Sequence, residues 1–68
     1  MNVYLIQNDG ESQCWKAETA AQAIAAAAEA FEKEAVRESY ELGDETARAY
    51  WERTCFQSCA LVGELENP

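Results

Sequence analysis

Alternating apolar and polar residues open the chain, give way to an alanine-rich run with helical spacing, and return near its end. Asn2 to Gln7 (NVYLIQ) is short, β-branched and aromatic, the composition of a strand. Asn8-Asp9-Gly10 follows, and Asp and Gly tolerate the positive φ that a tight hairpin demands. Ser12 to Ala17 (SQCWKA) reads as the returning strand, with Trp15 and Ala17 on one face and Cys14 and Lys16 on the other. Thr19, with Gln22 three residues on, matches a capping box. Ala20, Ile24, Ala27, Ala28, Phe31, Ala35 and Leu42 then recur on one helical face. That spacing predicts an amphipathic helix to about Glu41, ended by Gly43 in a left-handed conformation. Asp44 is placed to cap a shorter second helix, with Glu45 near its positive end and Ala47, Tyr50, Trp51 and Thr54 on its buried side. From about Phe56 to Leu65 strand-type residues return, and Glu64 to Pro68 reads as a frayed acidic end. The order ββααβ predicts an α+β fold: a three-stranded antiparallel sheet with two helices packed on one face, in a single domain over residues 1–68.

Composition adds weight to a folded chain and limits its core. A hydrophobic fraction of 49% separates it from acidic disordered tails, which are poor in apolar residues. Alanine supplies much of that fraction, so Leu5, Ile6, Trp15, Ile24, Phe31, Trp51, Phe56 and Leu61 are expected to carry the core. Burying one such side chain contributes about 1.5–3 kcal/mol. So thin a core leaves both a monomer and a homodimer open, since association buries further apolar surface. Cys14, Cys55 and Cys59 are too few, and odd in number, for a secreted disulfide framework. Met1 leads into the first strand with no basic segment, so no signal peptide is expected, and no apolar run is long enough to span a bilayer. A cytoplasmic location with free thiols follows as the expectation. A Cys14–Cys55 or Cys14–Cys59 bridge is sterically open between neighbouring strands, although a reducing compartment opposes it.

Charge changes the picture most. Thirteen acidic residues stand against five basic ones and no histidine, a net charge of −8 on 68 residues. Such a field repels nucleic acids and anionic membranes and attracts basic surfaces, above all those that hold phosphates. On the predicted long helix Glu34, Glu38 and Glu41 fall on one flank, about 6 Å and then about 4.5 Å apart along the axis. Glu45 and Glu52 add carboxylates on the second helix. Like charges at this spacing cost a few tenths of a kcal/mol each, and an ordinary solvated helix interleaves the two signs. Spaced carboxylates resemble the phosphates of a duplex, which carries a charge every ~1.7 Å of axis. Tyr40, turned outward beside Glu41, is a candidate anchor within the acidic patch.

Other chemistries find little support. A chain without histidine has no Ser/His/Asp or Cys/His set, and no Gly-rich phosphate loop is present. Every Asp and Glu falls in a turn or on a solvent-facing helical position, where nothing tunes a carboxyl for acid–base work. No enzymatic activity and no cofactor are therefore expected. Cys55-x-x-x-Cys59 with Cys14 offers three thiolates, short of a structural zinc site, and buried packing is the simpler role.

Two resemblances follow. The strand, NDG turn, strand and Thr-capped Ala/Glu helix (NVYLIQNDGESQCWKAETAAQAIAAAAEAF) resembles the opening of the antitoxins called HicB, over roughly the first half of the chain. It lacks their DNA-binding helix-turn-helix and implies at most a kindred protein–protein role, as in a phage accessory or assembly protein. The whole chain, by size, acidity and element order, resembles the small phage-encoded anti-CRISPR proteins of type I systems, several of which are DNA mimics. That family shares no motif, so no residue carries over by alignment. The resemblance implies an inhibitor acting in the bacterial host cytoplasm on the DNA-recognition surface of the Cascade effector complex. The residues expected to meet that surface are Glu34, Glu38, Glu41, Asp44, Glu45, Glu52 and Tyr40.

Overall fold

The computed structural model describes residues 1–43 and 45–65. Strands β1 (Asn2–Asn8), β2 (Glu11–Ala17) and β3 (Phe56–Glu64) form one antiparallel sheet in the order β2-β1-β3. Helices α1 (Ala20–Glu38) and α2 (Ala47–Tyr50) come between β2 and β3, and α2 runs on as a π-helical turn over Trp51–Cys55. The fold is α+β, with the ββααβ order the pattern predicts.

The β1–β2 hairpin closes through Asp9 (φ 45°) and Gly10 (φ 81°), two successive left-handed residues whose twist matches that of the flanking strands. β1 and β2 pair without interruption from Asn8↔Glu11 to Asn2↔Ala17. Against β3 the register slips twice, between Val3 and Tyr4 and between Gln7 and Asn8. These bulges add local twist to an edge strand.

One sheet face carries the core. Tyr4, Ile6 and Ala17 point into it and meet Ala23, Ala27 and Ala28 of α1, with Trp51 and Cys55 from the π turn. Small residues along the helix let its backbone come close to the sheet, and Trp15, Ile24, Phe31, Tyr50, Phe56 and Cys59 close around them. Of the expected core, Ile6 and Trp51 are buried, and Trp15, Ile24, Phe31 and Phe56 are half-buried against them. Two expectations fail. Leu61 pairs with Tyr4, but on an edge strand whose end the helices leave in solvent, and it is 53% exposed. Leu5 alternates to the opposite face from Ile6.

The long helix begins as expected, with Thr19 Oγ1 accepting from Gln22 N at 3.2 Å, while Gln22 Oε1 accepts from Glu18 N at 3.1 Å. It ends earlier than expected. Ser39 adopts φ 55° and ψ 47°, its N–H reaches Val36 O, and the Tyr40 N–H reaches Ala35 O at 3.0 Å. This is a Schellman termination, which needs one left-handed residue and an apolar side chain after it. Tyr40 supplies that side chain by packing on Phe31, so Ser39 fills the place expected of Gly43. Gly43 is itself left-handed (φ 69°) but lies in the following loop. The second cap also shifts: Thr46 Oγ1 accepts from Ala49 N at 3.1 Å. Asp44, the expected cap, lies outside the described residues. The π turn closes through the Phe56 N–H to Trp51 O, and Trp51 and Cys55, four residues apart, are both buried there. No described helix is long and apolar enough to cross a membrane.

Candidate functional site

Chain geometry brings the hairpin tip and the end of α1 together. β2 finishes at Ala17, far from the turn, and α1 runs back alongside it. Glu34 lies about 21 Å along the helix from Ala20 at ~1.5 Å per residue, and Glu11 about 20 Å along the strand from Ala17. The two therefore arrive at the same level. Asp9 N donates to Cys55 O at 2.8 Å, which ties the turn to the end of the π segment.

A recess of about 500 Å³ opens at this junction. Carboxylates of Asp9, Glu11, Glu34 and Glu41 line it, with the rings of Phe31, Tyr40, Tyr50 and Trp51. Phe31 lies near-parallel to Tyr50 (centroids 6.0 Å apart, 16° between planes) and tilted to Tyr40 (6.0 Å, 38°). Asn8 and Cys55 also line it, both buried. Burial first, and then the nearby Asp9 carboxylate, push the Cys55 thiol above its ordinary value. The Tyr40 hydroxyl donates to Glu34 Oε1 at 3.3 Å. Its own ionisation is moved upward by loss of solvent, then by the charge and hydrogen bond of Glu34.

The residues expected at the interface divide into three groups. Glu34, Glu41 and Tyr40 meet at the recess. Glu41 stands in the loop beyond α1, so the helical row of Glu34, Glu38 and Glu41 is broken where Ser39 ends the helix. Glu38 and Glu45 are engaged by the chain's own arginines. Arg37 Nε lies 3.3 Å from Glu38 Oε1, and Arg53 grips Glu45 with Nε and Nη2, each at 2.8 Å. The hydrogen bond from Arg53, ahead of its charge, holds the Glu45 carboxyl below its ordinary range. Glu52 is exposed on the π turn and makes no ion pair among the described residues. Asp44 lies outside the described residues. Sequence reasoning missed Asp9 and Glu11, although the comparison of strand and helix lengths above was enough to place them beside Glu34.

The sheet's other face differs in kind. Its outward grid is Gln7, Ser12 and Ser58, then Leu5, Cys14 and Ala60, then Val3, Lys16 and Gly63, with Lys16 as its one charged residue. Cys14 is exposed there, while Cys59 lies on the core side. With β1 between their strands and opposite faces for their side chains, Cys14 and Cys59 are not placed to bridge. No protein-family model matches the chain, and no curated protein or solved structure matches it.

Proposed function

We propose that the chain is an inhibitory binding protein of the anti-CRISPR kind, which presents its carboxylates to a basic nucleic-acid-binding surface. The DNA-recognition surface of a type I effector complex (Cascade) is the intended target. One observation carries this reading. On a chain of net charge −8, the carboxylates of Asp9, Glu11, Glu34 and Glu41 ring one recess that no described lysine or arginine lines, while the described outward positions of the sheet carry no acid. Charge placed this way orients the molecule during encounter, with its acidic end toward a basic partner. Inhibition is by occlusion: a fast, salt-sensitive encounter, then a smaller set of desolvated contacts around Tyr40 that sets residence time. Glu34 and Glu41 are the principal contacts, with Glu52 at the margin. Glu38 and Glu45, already held by arginines, contribute less. The test is a competition assay with purified effector complex, labelled target duplex and this protein at two salt concentrations. Displacement that weakens at higher salt supports the reading, and a folded protein that displaces nothing overturns it.

A second reading rests on the outward sheet face, where Val3, Leu5, Cys14 and Ala60 adjoin with no carboxylate among them. In an antitoxin-like or phage accessory protein this face pairs with another subunit. Light scattering together with partner capture separates the two readings. A tight dimer whose partner binding ignores salt favours the second.

A further inference from the structure

The recess offers two kinds of group with one shared preference. Carboxylates attract a cation, and the faces of aromatic rings attract it again once it is partly desolvated. We propose that this recess is a receptor for a guanidinium group, and that its occupant is an arginine side chain of a partner protein. The choice of a protein as the source rests on the function proposed above. The choice of a guanidinium rests on the recess itself.

Three observations select that group. Asn8 is buried to 9% exposure at the wall of the recess, and its side-chain amide makes no hydrogen bond among the described residues. Its oxygen is thus free to accept at the wall of the recess, and a ligand with several N–H groups has donors for it. Second, the carboxylates ring the recess without converging: among the described residues no group of three or more potential ligands is arranged to hold a metal ion. A small, hard cation therefore fits poorly, and a wide, planar one with spread charge fits well. Third, the chain shows the same chemistry beside the recess. Arg53 chelates Glu45 while its guanidinium carbon lies 5.9 Å from the Tyr50 ring centroid. A second guanidinium from outside meets a similar set in Glu34, Glu11 and the Phe31 ring. The volume, about 500 Å³, lies within the range of roughly 300–1,000 Å³ typical of ligand recesses. A quaternary ammonium has the charge but no N–H for Asn8, and a lysine ammonium lacks the planar face.

The test uses the isolated protein and three probes: N-acetyl-arginine methylamide, its lysine counterpart and tetramethylammonium. Each is titrated at near-physiological ionic strength while ¹H–¹⁵N NMR follows the Asn8 side-chain amide and the Trp51 indole. The expected result is saturable shifts centred on those two groups, with arginine about threefold or more tighter than either rival. Glu34→Gln should weaken arginine binding about fivefold, while Glu32→Gln, which removes an equal charge outside the recess, leaves it unchanged. Equal, non-saturating shifts from all three probes, or arginine shifts scattered over the other glutamates, overturn the proposal. The wild-type comparison of probes decides the matter even if a variant folds poorly. Arginine binding without duplex displacement overturns the effector target and leaves the recess standing; displacement without arginine binding does the reverse.

Discussion

The two ends of β1's side-chain alternation lead to opposite surfaces. Tyr4, Ile6 and Asn8 point toward the helices, and beyond Asn8 lies the acidic, aromatic recess. Val3, Leu5 and Gln7 point away, onto a grid where Lys16 is the one charged residue. A net charge of −8 is thus not spread evenly. Asp9, Glu11, Glu34 and Glu41 stand around the recess, whereas the described outward positions of the strands carry no acid, so the two surfaces suit partners of different chemistry. A two-residue alternation in one strand thus separates an acidic, aromatic surface from a nearly uncharged one by the thickness of a sheet.

The largest expected effect comes from neighbours on β1 that face opposite ways. Ile6 is fully buried, and Ile6→Ala should lower stability by about 2–5 kcal/mol, the usual cost of a cavity in a packed core. Leu5 is half-buried on the outward face, and Leu5→Ala should cost about 1 kcal/mol or less if that face is in solvent. Urea denaturation at two protein concentrations checks both. If Leu5→Ala costs as much as Ile6→Ala and stability rises with concentration, a second copy covers the grid and the contrast between faces must be redrawn.

The next test reverses charge at the recess. Glu34→Lys with Glu41→Lys should reduce affinity for a basic partner about tenfold or more, mainly through the association rate. Stability should change little, because both side chains are exposed, neither has an ion-pair partner among the described residues, and the one hydrogen bond lost, from the Tyr40 hydroxyl to Glu34, is long and exposed. Surface plasmon resonance at two salt concentrations reads the binding, and thermal unfolding reads the fold. Unchanged binding at both salts would move the interface away from the recess.

Much of this arrangement was legible in the sequence, and the failures share a cause. Element order, the hairpin turn, the start of α1 and the alternation of Trp15 and Ala17 follow from local pattern, and the structure agrees. The end of α1 does not. Sequence pattern favours Gly43 because glycine is the commonest left-handed residue, but Tyr40 gains more by folding back onto Phe31, and that contact fixes Ser39 instead. Pairing was hidden in the same way. Arg53 and Glu45 are eight residues apart in sequence, beyond the three- or four-residue spacing that marks neighbours on a helix surface, so no local rule pairs them. The recess was missed because its parts come from four segments, and no local period joins Asp9 and Glu11 to Glu34 and Glu41.

Thiols give a smaller contrast that reports on the same two surfaces. Cys14 is exposed on the grid; Cys55 is buried at the recess, with its thiol held protonated more strongly than usual by burial and then by Asp9. Iodoacetamide should alkylate Cys14 at least about tenfold faster near neutral pH, since the thiolate is the nucleophile. Mass spectrometry of the peptides reads the ratio. Comparable rates would mean that the recess opens readily or that the grid is covered.

The smallest effect is electrostatic and bears on whether the recess is available. Glu45's carboxyl is held below its ordinary value of 4.5, first by the hydrogen bond from Arg53. The folded chain therefore binds that proton more weakly than the unfolded chain does. The pair's stabilisation is complete above the ordinary value and is lost as pH falls through the lowered one. Both partners are exposed, so solvent screens the interaction and the loss should be slight. Glu45→Gln should flatten that part of the acid limb in a stability–pH profile, and Lys16→Met, on the grid, should leave it alone. If wild type and Glu45→Gln give superimposable acid limbs, Arg53 is not held by Glu45 in solution. It would then be free to turn toward the neighbouring carboxylates as an internal occupant of the recess. An external guanidinium would have to displace it, and the threefold preference for arginine over lysine should shrink in wild type and recover in Arg53→Gln.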